Sequence, residues 1–378
     1  MAMPRRASVA LQLLLLAAAS SAASGAKVPA IFVFGDSTAD VGNNNYLSGS
    51  SARADFPHNG IDLPGGEPTG RFSNGFIGID FLAVYMGFSR SPPAYLSLVG
   101  GSSNSNGSGE AMSNTTKKKT VGGTAAAVRG ASFASGGSGV LDSTGATINM
   151  TKQIEYFSDL RDQMTARLSA DGVSVLLSKS VFLISAGAND AFDFFSQNTS
   201  PDSTALQQFC EAVVSTYDSH VKTLYNLGAR KFAVIDVPMI GCCPYWRSRN
   251  PTGECAEPLN RLASKLNDGI RDLFGDLGSE MQGMNYSIGS SYELVASLIG
   301  DPRAAGFTEV RSACCGGGRL NAEEGCTPTS SYCSDRSKFL FWDLLHPTQA
   351  TSSLAGRAFF DGPARFVAPI TIRQLTEA

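Results

Sequence analysis

The sequence predicts an α/β fold, a mainly parallel sheet with helices on both faces. Three observations predict it. Short apolar runs without polar alternation recur along the chain, as strands buried on both faces do. Segments with apolar residues three and four apart lie between them, as amphipathic helices require. Polar clusters containing glycine follow two of the runs, and sites in such sheets form at the carboxyl ends of strands.

The elements follow in order. Ala30–Phe34 is the first run and ends at Gly35-Asp36-Ser37. Arg129–Ala134 is a short candidate strand. Ile154, Phe157, Leu160, Met164 and Leu168 then mark a helix. Ser180–Ser185 is a second strong run, ending at Gly187-Ala188-Asn189-Asp190. Leu206, Phe209, Val213, Tyr217, Val221 and Leu224 mark another helix, with Gly228 as its stop. Lys231–Val237 is the third strong run and ends at Pro238; Asn285–Ser290 is a weaker fourth. Strands alternating with helices imply a parallel sheet.

Composition narrows the function classes. With 43% hydrophobic and 17% charged residues, the chain can fill a core and is not a disordered segment. A net charge of −3 gives no general attraction to nucleic acid or to an anionic membrane. Three histidines, His58, His220 and His346, do not make a His-rich metal site, so neither metal nor cofactor is expected. No linker divides residues 27–378, which read as one domain. The Gly/Ser/Asn-rich stretch near 100–123, with Lys117, Lys118 and Lys119, reads as a solvated surface loop.

Arg5 and Arg6 precede an apolar run from Val9 to Ala19 and then small residues. This pattern over residues 1–26 is that of a secretory signal peptide. The rival reading is a retained anchor, which would leave the protein in the Golgi; the run is short of the ~20 residues a span needs. No later run is long enough, so the mature protein should carry no membrane span. Eight cysteines agree with an oxidising compartment: Cys210, Cys242, Cys243, Cys255, Cys314, Cys315, Cys326 and Cys333. Their even number suggests disulfides, one closing Cys242 or Cys243 onto Cys255, another linking Cys314 or Cys315 to Cys326 or Cys333. Glycosylation sequons at Asn106, Asn114, Asn149, Asn198 and Asn285 fit the same route.

The chemistry concentrates in few residues. Ser37 follows a buried strand, so its hydroxyl can face the crevice while its N–H opens the next turn. A hydroxyl becomes a nucleophile only beside a base. His346 is the best base, because Asp343, three residues before it, can fold back onto one ring nitrogen and leave the other for Ser37. His220 lies in an amphipathic helix and His58 in a loop. Asn189 offers a carboxamide donor, and Gly136 a bare backbone N–H, to an oxyanion. No G-x-x-x-x-G-K-[ST], no dinucleotide fingerprint and no G-x-S-x-G elbow occurs.

Taken in order, these blocks resemble the plant GDSL esterase/lipase family, a branch of the SGNH hydrolases. Phe34-Gly35-Asp36-Ser37 with Asp40 and Gly42-Asn43-Asn44-Asn45 is similar to its first block. Gly136, Gly187-Ala188-Asn189-Asp190 and Asp343-Leu344-Leu345-His346-Pro347 are similar to later ones. Pro68–Gly75, Gly241-Cys242-Cys243-Pro244 and Cys314-Cys315-Gly316 are further signatures. The resemblance implies a flavodoxin-like three-layer α/β/α sandwich. It implies Ser37 as nucleophile, His346 as base and Asp343 as its partner, with Ser37, Gly136 and Asn189 forming the oxyanion hole, the glycine donor being open to a slip of one residue within Gly136-Gly137. The implied substrate is an acyl ester, lipids included. The alternatives are O-acetyl groups on cell-wall polysaccharide, or a non-catalytic extracellular binding glycoprotein.

Overall fold

A computed structural model describes residues 26–99, 127–198 and 201–378. The signal-like segment, the stretch near 100–123 and the sequons at Asn106 and Asn114 lie outside the described residues. Five parallel strands make the body of the sheet: β1 (Ile31–Gly35), β2 (Gly130–Ser132), β3 (Val181–Ser185), β4 (Lys231–Ile235) and β5 (Asn285–Gly289). Two small ladders follow, from β6 (Glu309–Ala313), β7 (Cys315–Gly316), β8 (Ser331–Tyr332) and β9 (Phe339–Phe341), with β6 on β9 and β7 on β8. The last strand, β10 (Val367–Ala368), adds antiparallel to β5, giving the order β10-β5-β4-β3-β1-β2.

The unbroken apolar runs have a direct cause. In β1, Phe32 and Phe34 point into one core cluster, whereas Ile31 and Val33 point into the other. β3 repeats the division, with Phe182 and Ile184 on one side and Val181 and Leu183 on the other. Alternate side chains of a strand leave opposite faces, so a strand covered on both must be apolar throughout. Helices Met150–Leu168, Ser203–Asn226 and Glu257–Glu280 cover the first face. Helices Gly78–Tyr85, Ser291–Gly300, Gln349–Asp361 and Ile372–Glu377 cover the second. The result is the expected three-layer α/β/α sandwich. Fully burying each such Phe or Ile side chain contributes about 1.5–3 kcal/mol before entropy is charged against it.

Local signals set the helix ends. Asn149 caps Met150–Leu168 by accepting from Lys152 N–H at 2.9 Å, and Asp202 caps Ser203–Asn226 through Ala205 N–H at 2.7 Å. Gly228, at φ +119°, follows the second helix, where the sequence placed its stop. Among the described residues, no helix is long and apolar enough to cross a membrane.

The cysteines depart from an all-paired set. Three disulfides join Cys242 to Cys255, Cys314 to Cys333 and Cys315 to Cys326. Cys210 and Cys243 are buried free thiols. Cys210 packs into the main core from helix Ser203–Asn226, and the Cys243 thiol reaches the Leu345 carbonyl at 3.7 Å. An even count did not require full pairing, because both thiols are spent as small buried side chains.

Candidate active site

β1 delivers the serine. Its ladder to β3 continues one residue past its end, with Asp36 N–H donating to the Ser185 carbonyl at 3.0 Å. Gln153, buried on helix Met150–Leu168, grips the strand end through both groups of its amide. Its Oε1 accepts from Gly35 N–H at 2.8 Å, and its Nε2 donates to the Gly35 carbonyl at 2.9 Å. Asp36 Oδ1 then accepts from Thr38 N–H and from the Thr38 hydroxyl, at 2.8 and 2.7 Å. That Asx-type turn wraps around Ser37, which lies at its bend.

The histidine comes from an irregular loop after β9. Asp343 Oδ1 accepts from the N–H groups of Leu345 and His346, at 2.9 and 2.7 Å, so the loop folds around its own carboxylate. His346 Nδ1 lies 2.8 Å from Asp343 Oδ2 and 2.9 Å from Oδ1. Its Nε2 lies 2.8 Å from Ser37 Oγ. An ionised carboxylate only accepts, so the ring proton belongs on Nδ1 and Nε2 is free to accept from the serine.

The electrostatics oppose burial. Desolvation alone would push the His346 pKa down, but the Asp343 charge and hydrogen bond, helped by Asp36, hold it above the ordinary 6.5. Desolvation would push Asp343 up, but the His346 charge and the three N–H donors hold it below the usual carboxylate value. Asp36 is pushed up to about 6 by burial, against its bonds to Thr38.

Candidate donors to an oxyanion lie on three segments. The N–H of Ser37 has no hydrogen-bond acceptor among the described residues. Asn189 opens helix Ala188–Gln197 and spends one amide hydrogen on the Ser138 carbonyl at 2.8 Å, which leaves the other. Gly136 corrects the sequence expectation. Its N–H donates to Asp40 Oδ2 at 3.0 Å and is not free, because Asp40 is a buried carboxylate collecting backbone donors. The N–H of Gly137, one residue on, has no acceptor among the described residues. Gly136 has a different necessity: a Cβ there would lie 2.5 Å from the Phe72 ring, which itself packs, tilted, 5.0 Å from the His346 imidazole.

The other histidines lie elsewhere. His220 Nε2 is 3.1 Å from the Val140 carbonyl, and burial pushes its pKa down. His58 packs its ring 4.5 Å from that of Tyr332.

Three signature blocks with no assigned role in the sequence all grip the His346 loop. Ser73 Oγ donates to the Pro347 carbonyl at 2.9 Å, and Asn74 Oδ1 accepts from Gln349 N–H at 2.9 Å. The Cys243 thiol donates to the Leu345 carbonyl at 3.7 Å, and Tyr245, just past that block, donates its N–H to the Leu344 carbonyl at 3.0 Å. Cys314 and Cys315 donate their N–H groups to the carbonyls of Phe341 and Trp342, at 3.0 and 2.7 Å. Trp342 is buried and donates its indole N–H to Asn59 Oδ1 at 2.9 Å.

Comparison with known proteins places the chain in a family. Residues 31–359 match the model of the GDSL-like lipase/acylhydrolase family. One GDSL esterase/lipase of Arabidopsis thaliana is 37% identical over 357 residues, covering 93% of this chain and 90% of the relative. Another from the same plant is 35% identical over 373 residues, covering 95% and 94%. A third is 32% identical over 366 residues, covering 93% and 92%. With a serine, a histidine and an aspartate in hydrogen-bonded series at the carboxyl end of a parallel sheet, and with these likenesses across nearly its whole length, the chain belongs to the GDSL lipase/acylhydrolase family.

Proposed function

We propose that the protein is a secreted serine hydrolase that cleaves carboxylic esters, lipid esters included, through an acyl-enzyme. One observation carries the reading: Ser37 Oγ, His346 and Asp343 form a continuous hydrogen-bonded series with 2.8 Å at each link. In this reading His346 Nε2 takes the Ser37 proton as Oγ attacks the ester carbonyl, and Asp343 stabilises the imidazolium that forms. The Ser37 N–H, the Gly137 N–H and the spare Asn189 amide hydrogen hold the oxyanion of the tetrahedral intermediate. His346 then gives its proton to the leaving alcohol. Water, activated by the same imidazole, releases the acid and restores Ser37.

Secretion is supported by the signal-like N-terminus and by three disulfides, which persist in oxidising compartments. Of the sequons within the described residues, that at Asn198 starts at an exposed residue, while Asn149 and Asn285 are half-buried.

The test is Ser37→Ala on the mature chain. Hydrolysis of nitrophenyl esters, and labelling by a fluorophosphonate, should both disappear. Full retention of ester hydrolysis would overturn the reading. A panel running from acetylated xylan to long-chain acyl esters then separates polysaccharide O-acetyl groups from lipids as the natural substrate class.

A further inference from the structure

We propose that Asp40 and Asp190 are a pair of positioning residues that preorganise the oxyanion hole by clamping the glycine-rich 135–144 loop from both ends. The inference rests on the serine-hydrolase reading above and assigns residues to it that neither touch substrate nor belong to the Ser-His-Asp series. The loop needs such a device. Gly136, Gly137 and Gly139 bring no side chain to hold the middle of the loop, which leans on the Ser138 hydroxyl's bond to the Gly35 carbonyl at 2.9 Å, and glycine loses the most freedom on ordering. An oxyanion donor works only when it is aimed before the reaction begins.

Asp40 holds the first end. It is fully buried, at 0% exposure, three residues after Ser37. Oδ1 accepts from the N–H groups of Gly42 and Asn43, both at 2.7 Å, and Oδ2 accepts from Asn44 N–H at 3.4 Å. Across 96 residues, Oδ2 also accepts from Gly136 N–H at 3.0 Å. Asp190 holds the second end. It is 1% exposed and adjacent to Asn189. Its carboxylate accepts from Val140 N–H at 2.8 Å, Leu141 N–H at 2.9 Å and the Thr144 hydroxyl at 2.8 Å. Gly139 is bare because Asp190 comes so close: a Cβ there would lie 2.4 Å from Oδ1. Gly137 and Ser138 lie between the anchors, and the Ser138 carbonyl receives the Asn189 amide.

Each anchor thus ties the loop to a different donor. Asp40 joins Gly136, beside Gly137, to the turn that carries Ser37. Asp190 joins Val140 and Leu141 to the helix that carries Asn189. Stability alone does not ask for carboxylates here, since burial of the charge lifts the pKa of both, that of Asp40 to about 6. Accepting several N–H groups at once does ask for them. An asparagine would turn its own NH₂ onto one set of donors, whereas a carboxylate only accepts.

The experiment compares Asp40→Asn and Asp190→Asn with Asp236→Asn. Asp236 is a comparably buried carboxylate, 2% exposed, which accepts from the hydroxyls of Ser290 and Ser291, from Tyr292 N–H and from Arg271, and bonds none of the three donors nor the 135–144 loop. Kinetics on a short-chain nitrophenyl ester, thermal melting, and inhibition by an alkyl trifluoromethyl ketone are read together. The ketone adds Ser37 Oγ at its carbonyl and leaves an oxyanion, so its affinity reports the hole. A donor displaced by a fraction of an ångström to 1 Å costs up to about 10²-fold, so both clamp variants should lose about 10–100-fold in kcat with KM little changed. Their ketone affinity should fall in step with kcat/KM. Asp236→Asn should melt earlier yet keep kcat within about twofold, since it shifts no oxyanion donor. Thr144→Val removes one donor to Asp190 without altering the carboxylate, and should lose about threefold in both readouts, a fraction of what one misplaced donor can cost. It keeps the test decisive if the Asn variants do not fold. The clamp is overturned if folded Asp40→Asn and Asp190→Asn, or Thr144→Val, keep wild-type kcat and ketone affinity, or if Asp236→Asn loses both to the same extent. An active Ser37→Ala would instead remove the hydrolase reading itself.

Discussion

Ser37 and His346 meet at 2.8 Å, yet they are held from behind in different ways. The serine rides on β1, next to β3 at the centre of the sheet, and apolar side chains cover that strand on both faces. Its position is a consequence of sheet hydrogen bonds plus Gln153. The histidine lies in a loop between a three-residue strand and a helix, where the ladders are only two strands wide. There much of the sheet is replaced by carbonyls caught one at a time: Phe341 and Trp342 accept from Cys314 and Cys315, Leu344 from Tyr245 and Pro347 from Ser73. Two disulfides, closing separations of 19 and 11 residues, fix the segment of Cys314 and Cys315. Where regular structure positions a catalytic group, the chain needs no staples. Where it does not, covalent bonds and side-chain hydrogen bonds take over.

The base side should therefore break most steeply when its own carboxylate changes. In Asp343→Asn the amide can donate to Nδ1 and push the ring proton onto Nε2, toward the serine. By analogy with other Ser-His-Asp enzymes, kcat should fall by ~10⁴ with the fold intact. The same variant has a pH signature. The base must be neutral, so wild-type kcat/KM rises as pH increases through the His346 pKa, which Asp343 holds above 6.5. Removing that charge moves the acid limb to lower pH, and an unmoved limb would show that another group sets it. On the serine side, Asn189→Ala removes one donor from the hole and should cost about 10²–10³ in kcat with KM nearly unchanged.

The same contrast decides what could be read from the sequence. The strands were legible because burial on both faces writes itself as unbroken apolar runs, and all five parallel strands fall within a residue or two of those runs. Asp343 and His346 were legible because the bond between them is local. β10 and the two small ladders went unread, since β7, β8 and β10 are two residues each, too short for a pattern, and β6 mixes charged with apolar residues. Helix Glu257–Glu280 did carry one, in Leu259, Leu262, Leu266, Ile270, Phe274 and Leu277, and went unread. Which of Gly136 and Gly137 keeps a free N–H was not legible, because the direction of the Gly136 N–H is decided by Asp40, 96 residues away. Nor could spacing choose between Cys242 and Cys243, adjacent residues whose side chains leave the backbone in different directions.

Opening the Cys314–Cys333 bridge tests whether the staples matter to the base side alone. A disulfide of this span is worth about 2–4 kcal/mol. In Cys314→Ser/Cys333→Ser, ester hydrolysis should be lost several degrees below the melting of the helical signal in circular dichroism, since the sheet and its helices do not depend on that bridge. Coincident midpoints would show that the two sides unfold as one cooperative unit.

The smallest effects give the sharpest form of the comparison. Ser73→Ala deletes one hydroxyl proton, donated at 2.9 Å to the Pro347 carbonyl next to the base, with Asn74 Oδ1 a longer second acceptor at 3.4 Å. Thr38→Val deletes two hydrogen bonds, to Asp36 and Ser185, next to the nucleophile. Each bond contributes about 1 kcal/mol to stability, so by that count Thr38→Val should melt earlier. Activity should run the other way. The Thr38 backbone still bonds Asp36, and the ladder to Ser185 still runs past Gly35, so Ser37 keeps its place. His346 has only the single bridge between Phe341 and Pro347 to fall back on, in which its carbonyl accepts from Trp342 N–H at 2.8 Å. Ser73→Ala should lower kcat by about three- to fivefold, the equivalent of one ~1 kcal/mol hydrogen bond, while Thr38→Val stays within about twofold. If kcat instead follows thermal stability in both variants, the two sides of the site are held by the same means after all.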